Sequence, residues 1–566
     1  MRWVESGDVR LAVYTDGDPA DPTVLLLHGY PDTHRVWDEV AARLSGRFHV
    51  VRYDVRGAGA STGPRDRRDY GLDRLMDDLR AVLDAVAGGR KVHLVGHDWG
   101  SVQGWEAAGR AGLRERLASF TSLGGPGGRH LADFARHGGR RDRLAQLVRS
   151  SYIGFFLIPV LPELAWRSLV PRLLARRLRR EGAPPRDGHP APTLVRDARN
   201  GLWLYRANLR GRRGRAEPVG PPVIDLPVQL VDAAHDPFVT PALAGWCERW
   251  TPRLWRRELD AGHWAQRARP DTVARMIAEF VAHVEGASPS RELRRARAGA
   301  ARRAFTDRLV VVTGAGSGIG LAAARAFAAH GGEVVCADVD GAAAARAAEG
   351  IGKELGGTAW AAQVDVGNVD QMADFSRNII AEYGVPDIVL NNAGITVAGP
   401  ILDHTVDDWR RTIDTNLWGI IHGCRLFGAA MVARGQGGHI VNVASLAAFA
   451  PTRLLPAYSV SKAAVKALSD SLRAELAGHG IGVSVVCPGF VSTPMAEHTT
   501  YVGAVRRDLA VRWPARRRYP AERVAAHILR AVDRNEAVVP VNLEAEIGYA
   551  LSRISPRLMR TLARLG

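Results

Sequence analysis

Two glycine-bearing junctions constrain what this chain can fold into more than any other feature. One is GHDWG at 96–100, reached from the apolar run KVHLVGH; the other is TGAGSGIG at 313–320, reached from LVVV. Each marks a strand that turns sharply into a helix at the carboxyl edge of a parallel sheet, with glycines where the backbone must pass close to its neighbours. The two differ chemically and lie too far apart, in a chain of 566 residues, to share one core. They predict two separate α/β domains and not a repeat.

Short β-branched runs alternate with alanine-rich stretches around both junctions, the pattern of parallel strands joined by crossover helices. In the first half the runs fall at 23–29, 49–55, 91–97, 120–124, 227–235 and 253–262. Residues of about 126–222 interrupt them with helical, aromatic and arginine-rich sequence, which suits a cap inserted into the sheet. From 309 a second series of seven runs begins, ending at 537–541, enough for a complete doubly wound sheet. Between the series, 287–305 carries six arginines against one glutamate and reads as a linker. The predicted domains are therefore 1–286 and 306–566.

The four cysteines (Cys247, Cys336, Cys424, Cys487) form no CxxC pair and no Cys/His ligand spacing. Free thiols, no metal and a cytoplasmic protein are expected. No apolar run is long enough to span a bilayer. The net charge of +17 raises nucleic-acid and membrane partners. No nucleic-acid motif accompanies it, so nucleic acid is not expected. Arginine clusters at 172–180, 210–215 and 291–303 read first as solvated helix faces. The alternative is peripheral contact with an anionic inner membrane, to which the amphipathic tail ISPRLMRTLARLG would add.

In most strand–turn–helix elbows of the GxSxG kind the exposed residue is serine; here it is Asp98. A carboxylate there can attack an sp³ carbon and form an ester, which water must then hydrolyse. His263 in DAGHWAQ is the candidate base and Asp236 in AAHDPFVTP its orienting acid. The backbone N–H groups of Tyr30, in HGYP, and of Trp99 form the candidate oxyanion hole. His97 and His235 are expected to be neighbours without catalytic roles. Over about residues 1–285 these features resemble the α/β-hydrolase-fold epoxide hydrolases. The resemblance implies a vicinal-diol product and two cap tyrosines that hold the epoxide oxygen: Tyr152 in SYIGFFLIP and Tyr205 in LWLYRANL. GHDWG alone is equally a haloalkane dehalogenase motif; Trp99 disfavours the fluoroacetate dehalogenases, which carry arginine there.

In the second junction, Gly314, Gly318 and Gly320 precede an alanine-rich helix whose N-terminus can hold a pyrophosphate. Asp338 ends the next strand, where a carboxylate accepts from ribose hydroxyls and repels a 2′-phosphate, favouring NAD over NADP. The rest, over about 306–566, resembles the short-chain dehydrogenase/reductase family. That resemblance implies a catalytic set of Asn416, Ser445, Tyr458 and Lys462. Tyr458 is the acid/base, its pKa lowered by Lys462 and oxidised nicotinamide; Ser445 binds the substrate oxygen; Asn416 holds a relay water. It also implies cofactor contacts from Ser317, Ile319, Asp365, Val366, Asn392, Ala393, Gly394, Pro488, Gly489 and Thr493, and pairing of subunits through helices flanking the YxxxK segment.

The expected fold class is thus α/β: an α/β-hydrolase fold with a helical cap, followed by a Rossmann-type dehydrogenase domain. The expected function is bifunctional, epoxide hydrolysis plus NAD(H)-dependent alcohol/ketone oxidoreduction on lipophilic substrates. The competing readings are a dehalogenase-type first half, or one half inactive and serving as a lipid-binding module.

Overall fold

The run TVLLL at 23–27 becomes a strand covered on both faces, because crossover helices on either side of a parallel sheet exclude water from it. In the computed structural model of the chain, residues 1–209, 220–299, 303–450, 452–503 and 519–555 are described. They divide into two units, Met1–Ala300 and Ala301–Gly566.

The first unit holds strands β1 (Arg2–Ser6), β2 (Val9–Asp16), β3 (Thr23–Leu27), β4 (His49–Tyr53), β5 (Val92–His97), β6 (Leu117–Leu123), β7 (Val228–Ala233) and β8 (Leu254–Leu259). They form one sheet in the order β1-β2-β4-β3-β5-β6-β7-β8. β1 and β2 are an antiparallel hairpin that joins β4 antiparallel; every other pairing is parallel. Since β5 lies beside β3, the loop after β3 and the elbow after β5 emerge side by side. Between β6 and β7 the described chain is helical, with helices at Gly128–His137, Arg140–Arg149, Ser151–Leu157, Leu161–Ser168, Val170–Arg180 and Leu194–Leu209. The expected cap is there; the 210–215 arginine cluster lies outside the described residues.

The arginine-rich segment departs from the expected linker. Residues Arg291–Ala296 form a helix whose Leu293 and Ala296 pack with Trp255 and Phe280. The Ala298 N–H then donates to the Leu254 carbonyl, and Arg297 lies over the Trp255 ring at 4.5 Å. Burial of two apolar side chains and a cation–π contact bind what composition alone marks as a solvated tether. Phe305, at the segment's other end, is buried in the core of the second unit.

The second unit is a seven-stranded parallel sheet: β9 (Leu309–Thr313), β10 (Glu333–Asp338), β11 (Ala359–Gln363), β12 (Ile388–Asn391), β14 (Gly438–Val443), β15 (Ile481–Cys487) and β17 (Val538–Pro540), ordered β11-β10-β9-β12-β14-β15-β17. A short parallel pair, β13 (Val397–Ala398) with β16 (Thr500–Tyr501), stands apart. The strand order reverses at β9/β12, so the loops after these two strands diverge and leave a crevice at their carboxyl ends. Among the described residues, no helix is long and apolar enough to cross a membrane, no cluster of His, Cys, Asp and Glu could hold a metal ion, and the four cysteines are buried and unpaired.

Candidate active sites

Asp98 leaves β5 with φ 51° and ψ −118°, a conformation that non-glycine residues rarely adopt and that exposes its side chain above the sheet edge. The following turn needs glycine: a Cβ on Gly100 would stand 2.2 Å from the Leu27 carbonyl oxygen. The Tyr30 N–H donates to Asp98 Oδ1 at 2.7 Å, and the Trp99 N–H also points at the carboxylate. Asp98 Oδ2 lies 3.8 Å from His263 Nε2, and His263 Nδ1 is bonded to Asp236 Oδ2 at 2.9 Å. Asp236 is fixed in turn by the N–H groups of Phe238 and Val239, at 2.7 and 3.1 Å.

These contacts set the charges. Burial pushes Asp98 up to about 6, against the pull of His263 and the two N–H groups. Burial would push His263 down, but the charge and hydrogen bond of Asp236, with Asp98 and Glu181 behind them, carry it up to about 9. For Asp236, burial is outweighed by its bonds to His263, Phe238 and Val239, and its pKa is lowered.

The cap closes the site with aromatic rings. Tyr205 packs edge-on against Trp99 at 5.1 Å, Tyr30 at 5.4 Å and Phe156 at 5.2 Å. Tyr152 contacts Tyr205 at 6.3 Å and Phe238 at 5.2 Å, and Phe238 rests on His263 at 4.8 Å. Burial, with the nearby Asp98 charge, raises both tyrosines, so both keep their protons at ordinary pH.

Several positioning groups are not legible as motifs. His97 Nε2 bonds the His263 carbonyl at 2.9 Å, so it supports the catalytic loop instead of merely adjoining it. Asp32 accepts from the Trp264 indole at 3.0 Å and pairs with His189 of the cap at 2.9 Å. Glu181, just past the cap helix Val170–Arg180, accepts from the Trp264 N–H at 3.4 Å. His235 pairs with Asp260 on an exposed surface.

The second site lies in the β9/β12 crevice. Gly314 and Gly318 have φ +64° and +55°. A Cβ on Gly320 would fall 2.0 Å from the Gly314 carbonyl oxygen, so the loop closes this tightly only around glycine. Ser317 occupies the N-cap position of the helix Gly318–Ala329 in extended conformation, and Ile319 packs on the core. Asn392 anchors the loop, its side-chain amide donating to the carbonyls of Thr313 and Gly314 at 3.0 and 3.2 Å, while the Ala393 N–H reaches Thr313 Oγ1. Thr493 stands against Gly318 from the other side. The Asp338 carboxylate closes the cradle, accepting from Gly316 N–H at 2.8 Å. Asp365 holds the Gly367 N–H beside buried Val366, and Gly489 is tied to Asn542.

Tyr458 and Lys462 share the helix Pro456–Leu476, with Lys462 Nζ 5.6 Å from the Tyr458 ring centre. Lys462 is buried, donates to the Val443 carbonyl at 2.9 Å and is lowered by burial to about 8. Ser445 is hydrogen-bonded toward Tyr458 and lies 3.5 Å from the Pro488 carbonyl.

Burial holds Tyr458 above the usual phenol range, against the pull of the Ser445 hydrogen bond. Asn416, in a π-helical turn at Asp414–Trp418, bonds Ile395 through both amide atoms (2.8 and 2.9 Å) and Ser461 at 3.2 Å. Both of its N–H donors are used, so the side chain fixes the Ile395 turn.

An acid–base pair on a hydrolase elbow in one unit and a YxxxK set over a glycine cradle in the other define a two-domain enzyme, hydrolase and oxidoreductase. The comparisons agree. Residues 22–270 match the alpha/beta hydrolase fold and 308–501 the short chain dehydrogenase model. A Mycobacterium tuberculosis protein described as "Probable oxidoreductase EphD" is 41% identical over 586 aligned positions, covering 100% of this chain and 98% of its own. The chain belongs to the EphD family of fused hydrolase–dehydrogenases. Similar solved structures include a Burkholderia phymatum short-chain dehydrogenase/reductase in complex with NAD (28% identical, 46% of this chain, 96% of that one, TM-score 0.42). A Bacillus megaterium epoxide hydrolase in complex with an inhibitor is 24% identical, covering 50% of this chain and 100% of that one, TM-score 0.44. The dehydrogenase domain takes a nicotinamide dinucleotide, and the glycine cradle, Asp338 and Asn392 fit one.

Proposed function

We propose that the first domain opens lipophilic epoxides to vicinal diols through an ester on Asp98, and that the second interconverts an alcohol and a ketone with NAD(H). The observation carrying the hydrolase reading is Asp98 set between a hydrogen-bonded His263–Asp236 pair and two protonated cap tyrosines. Asp98 Oδ2 attacks a ring carbon, the ring C–O bond breaks, and the alkoxide takes a proton from Tyr152 or Tyr205. Ester formation discharges Asp98 and removes one of the charges that keep His263 protonated. The imidazolium returns a proton to the tyrosinate and then accepts one from water. The hydroxide adds to the Asp98 carbonyl, its oxyanion falling on the Tyr30 and Trp99 N–H groups, and collapse frees the diol. A haloalkane would need no acid for its leaving group; the tyrosine pair favours the epoxide.

A single turnover with excess enzyme in ¹⁸O-water tests this. The label should appear in the peptide containing Asp98, and the diol should be unlabelled. Label in the diol alone would mean direct attack by water, and halide release from bromoalkanes without diol formation would favour the dehalogenase.

The nucleophile must be ionised, and burial raises its pKa to about 6. Hydrolase kcat/KM should therefore be full above that pH and fall tenfold per unit below it. An acid limb near 4, the ordinary carboxylate range, would contradict the environment described.

In the second domain the bound cofactor supplies or takes the hydride. Tyr458 moves the proton on the substrate oxygen, Ser445 orients that oxygen and Lys462 sits beneath the tyrosine ring. Asp338, at the end of β10, supports NAD(H) over NADP(H), since a carboxylate there repels a 2′-phosphate.

A further inference from the structure

The cap carries a band of large apolar side chains that its own fold does not cover. Ile158, Val160, Leu161, Leu164, Leu169 and Leu173 are between 45% and 64% exposed. They follow one another along the loop after the helix Ser151–Leu157, the helix Leu161–Ser168 and the first turn of Val170–Arg180. The inward face of that last helix is already supplied by Val170, Leu174 and Leu178, four residues apart and packed on the core, so the outward leucines are not needed to seat it. At the tip, Val160 has φ +67°, a region unfavourable for a β-branched residue, yet its side chain points an apolar group at solvent.

Cations flank this band. Arg167, Arg172, Arg176, Arg179 and Arg180 are exposed, and none makes an ion pair among the described residues. The acids nearby are occupied, Glu163 by Arg206 and Glu181 by Arg177.

We propose that this face of the cap docks on an anionic lipid bilayer, with the leucines at the level of the acyl chains and the arginines against lipid phosphates. An acidic peptide would answer the arginines but leave the leucines uncovered. A second copy of the chain would cover the leucines but set arginine against arginine. A lipid surface satisfies both. The preceding helix carries Tyr152 and Phe156, so the docked face adjoins the wall of the hydrolase site. The proposal does not depend on the chemistry assigned to that site.

The test is sedimentation of the full chain with vesicles of phosphatidylcholine and phosphatidylglycerol in equal parts, against phosphatidylcholine alone. Binding to the anionic vesicles alone, weakening as salt is added, is expected. The double variant Leu161→Glu/Leu164→Glu, and independently Arg172→Glu/Arg176→Glu, should each reduce it roughly tenfold or more. Both should keep the wild-type circular dichroism spectrum; should the leucine variant misfold, the arginine pair still decides. Undiminished binding in a folded variant would overturn the proposal by placing the attraction elsewhere in the chain. So would the absence of vesicle binding, or a concentration-dependent dimer abolished by the leucine variant.

Discussion

His263→Gln is expected to stop the hydrolase after its first chemical step. Asp98 and the cap tyrosines remain, so a ring carbon is still captured, but glutamine cannot take a proton from water and the ester persists. Steady-state diol formation should fall roughly a thousandfold. Intact-mass spectrometry after mixing with an epoxide should show a covalent adduct equal to the mass of that epoxide, absent from the wild type and from Asp98→Ala. The 2.9 Å bond to Asp236 and the 3.8 Å approach to Asp98 leave no other group of the described site placed as base. Normal turnover by His263→Gln would remove the histidine from the mechanism. Adduct formation by Asp98→Ala would remove the aspartate.

Tyr458→Phe should produce the second large loss, roughly a thousandfold or more in alcohol/ketone oxidoreduction. Only a hydroxyl is deleted. The ring remains above Lys462, and the glycine cradle, Asp338 and Asn392 are untouched. Fluorescence titration should therefore give an NADH dissociation constant within about twofold of the wild type, with NADPH binding more weakly in both proteins. Oxidoreduction within tenfold of the wild type would transfer the proton step to another group.

The residues that could be read in advance were those whose chemistry is written locally. Asp98 announces itself by standing where a serine usually does, and Tyr458 and Lys462 by their spacing on one helix face. Less accessible were groups whose partners come from distant sequence. Asp32 reads as a turn residue until the cap delivers His189 and the catalytic loop delivers Trp264. Thr313 is simply the last residue of a strand until the NNAG turn hangs from it. The helix Arg291–Ala296 escaped because only Leu293 and Ala296 face inward, too few to give a period in a segment of six arginines. The β1–β2 hairpin lies outside the parallel series that begins at 23, since antiparallel pairing is decided by what the second strand meets. The amide bonds of Asn416 to Ile395 escape for a related reason: that neighbour is created by the π-helical turn.

Every described side chain grouped around Asp98 precedes residue 300, and every one grouped around Tyr458 follows it. A sample with one centre silenced by a point change thus retains the other as an internal gauge. Its surviving rate reports how much chain is present with that unit folded, so a loss at the altered centre can be separated from a loss of protein within the same tube.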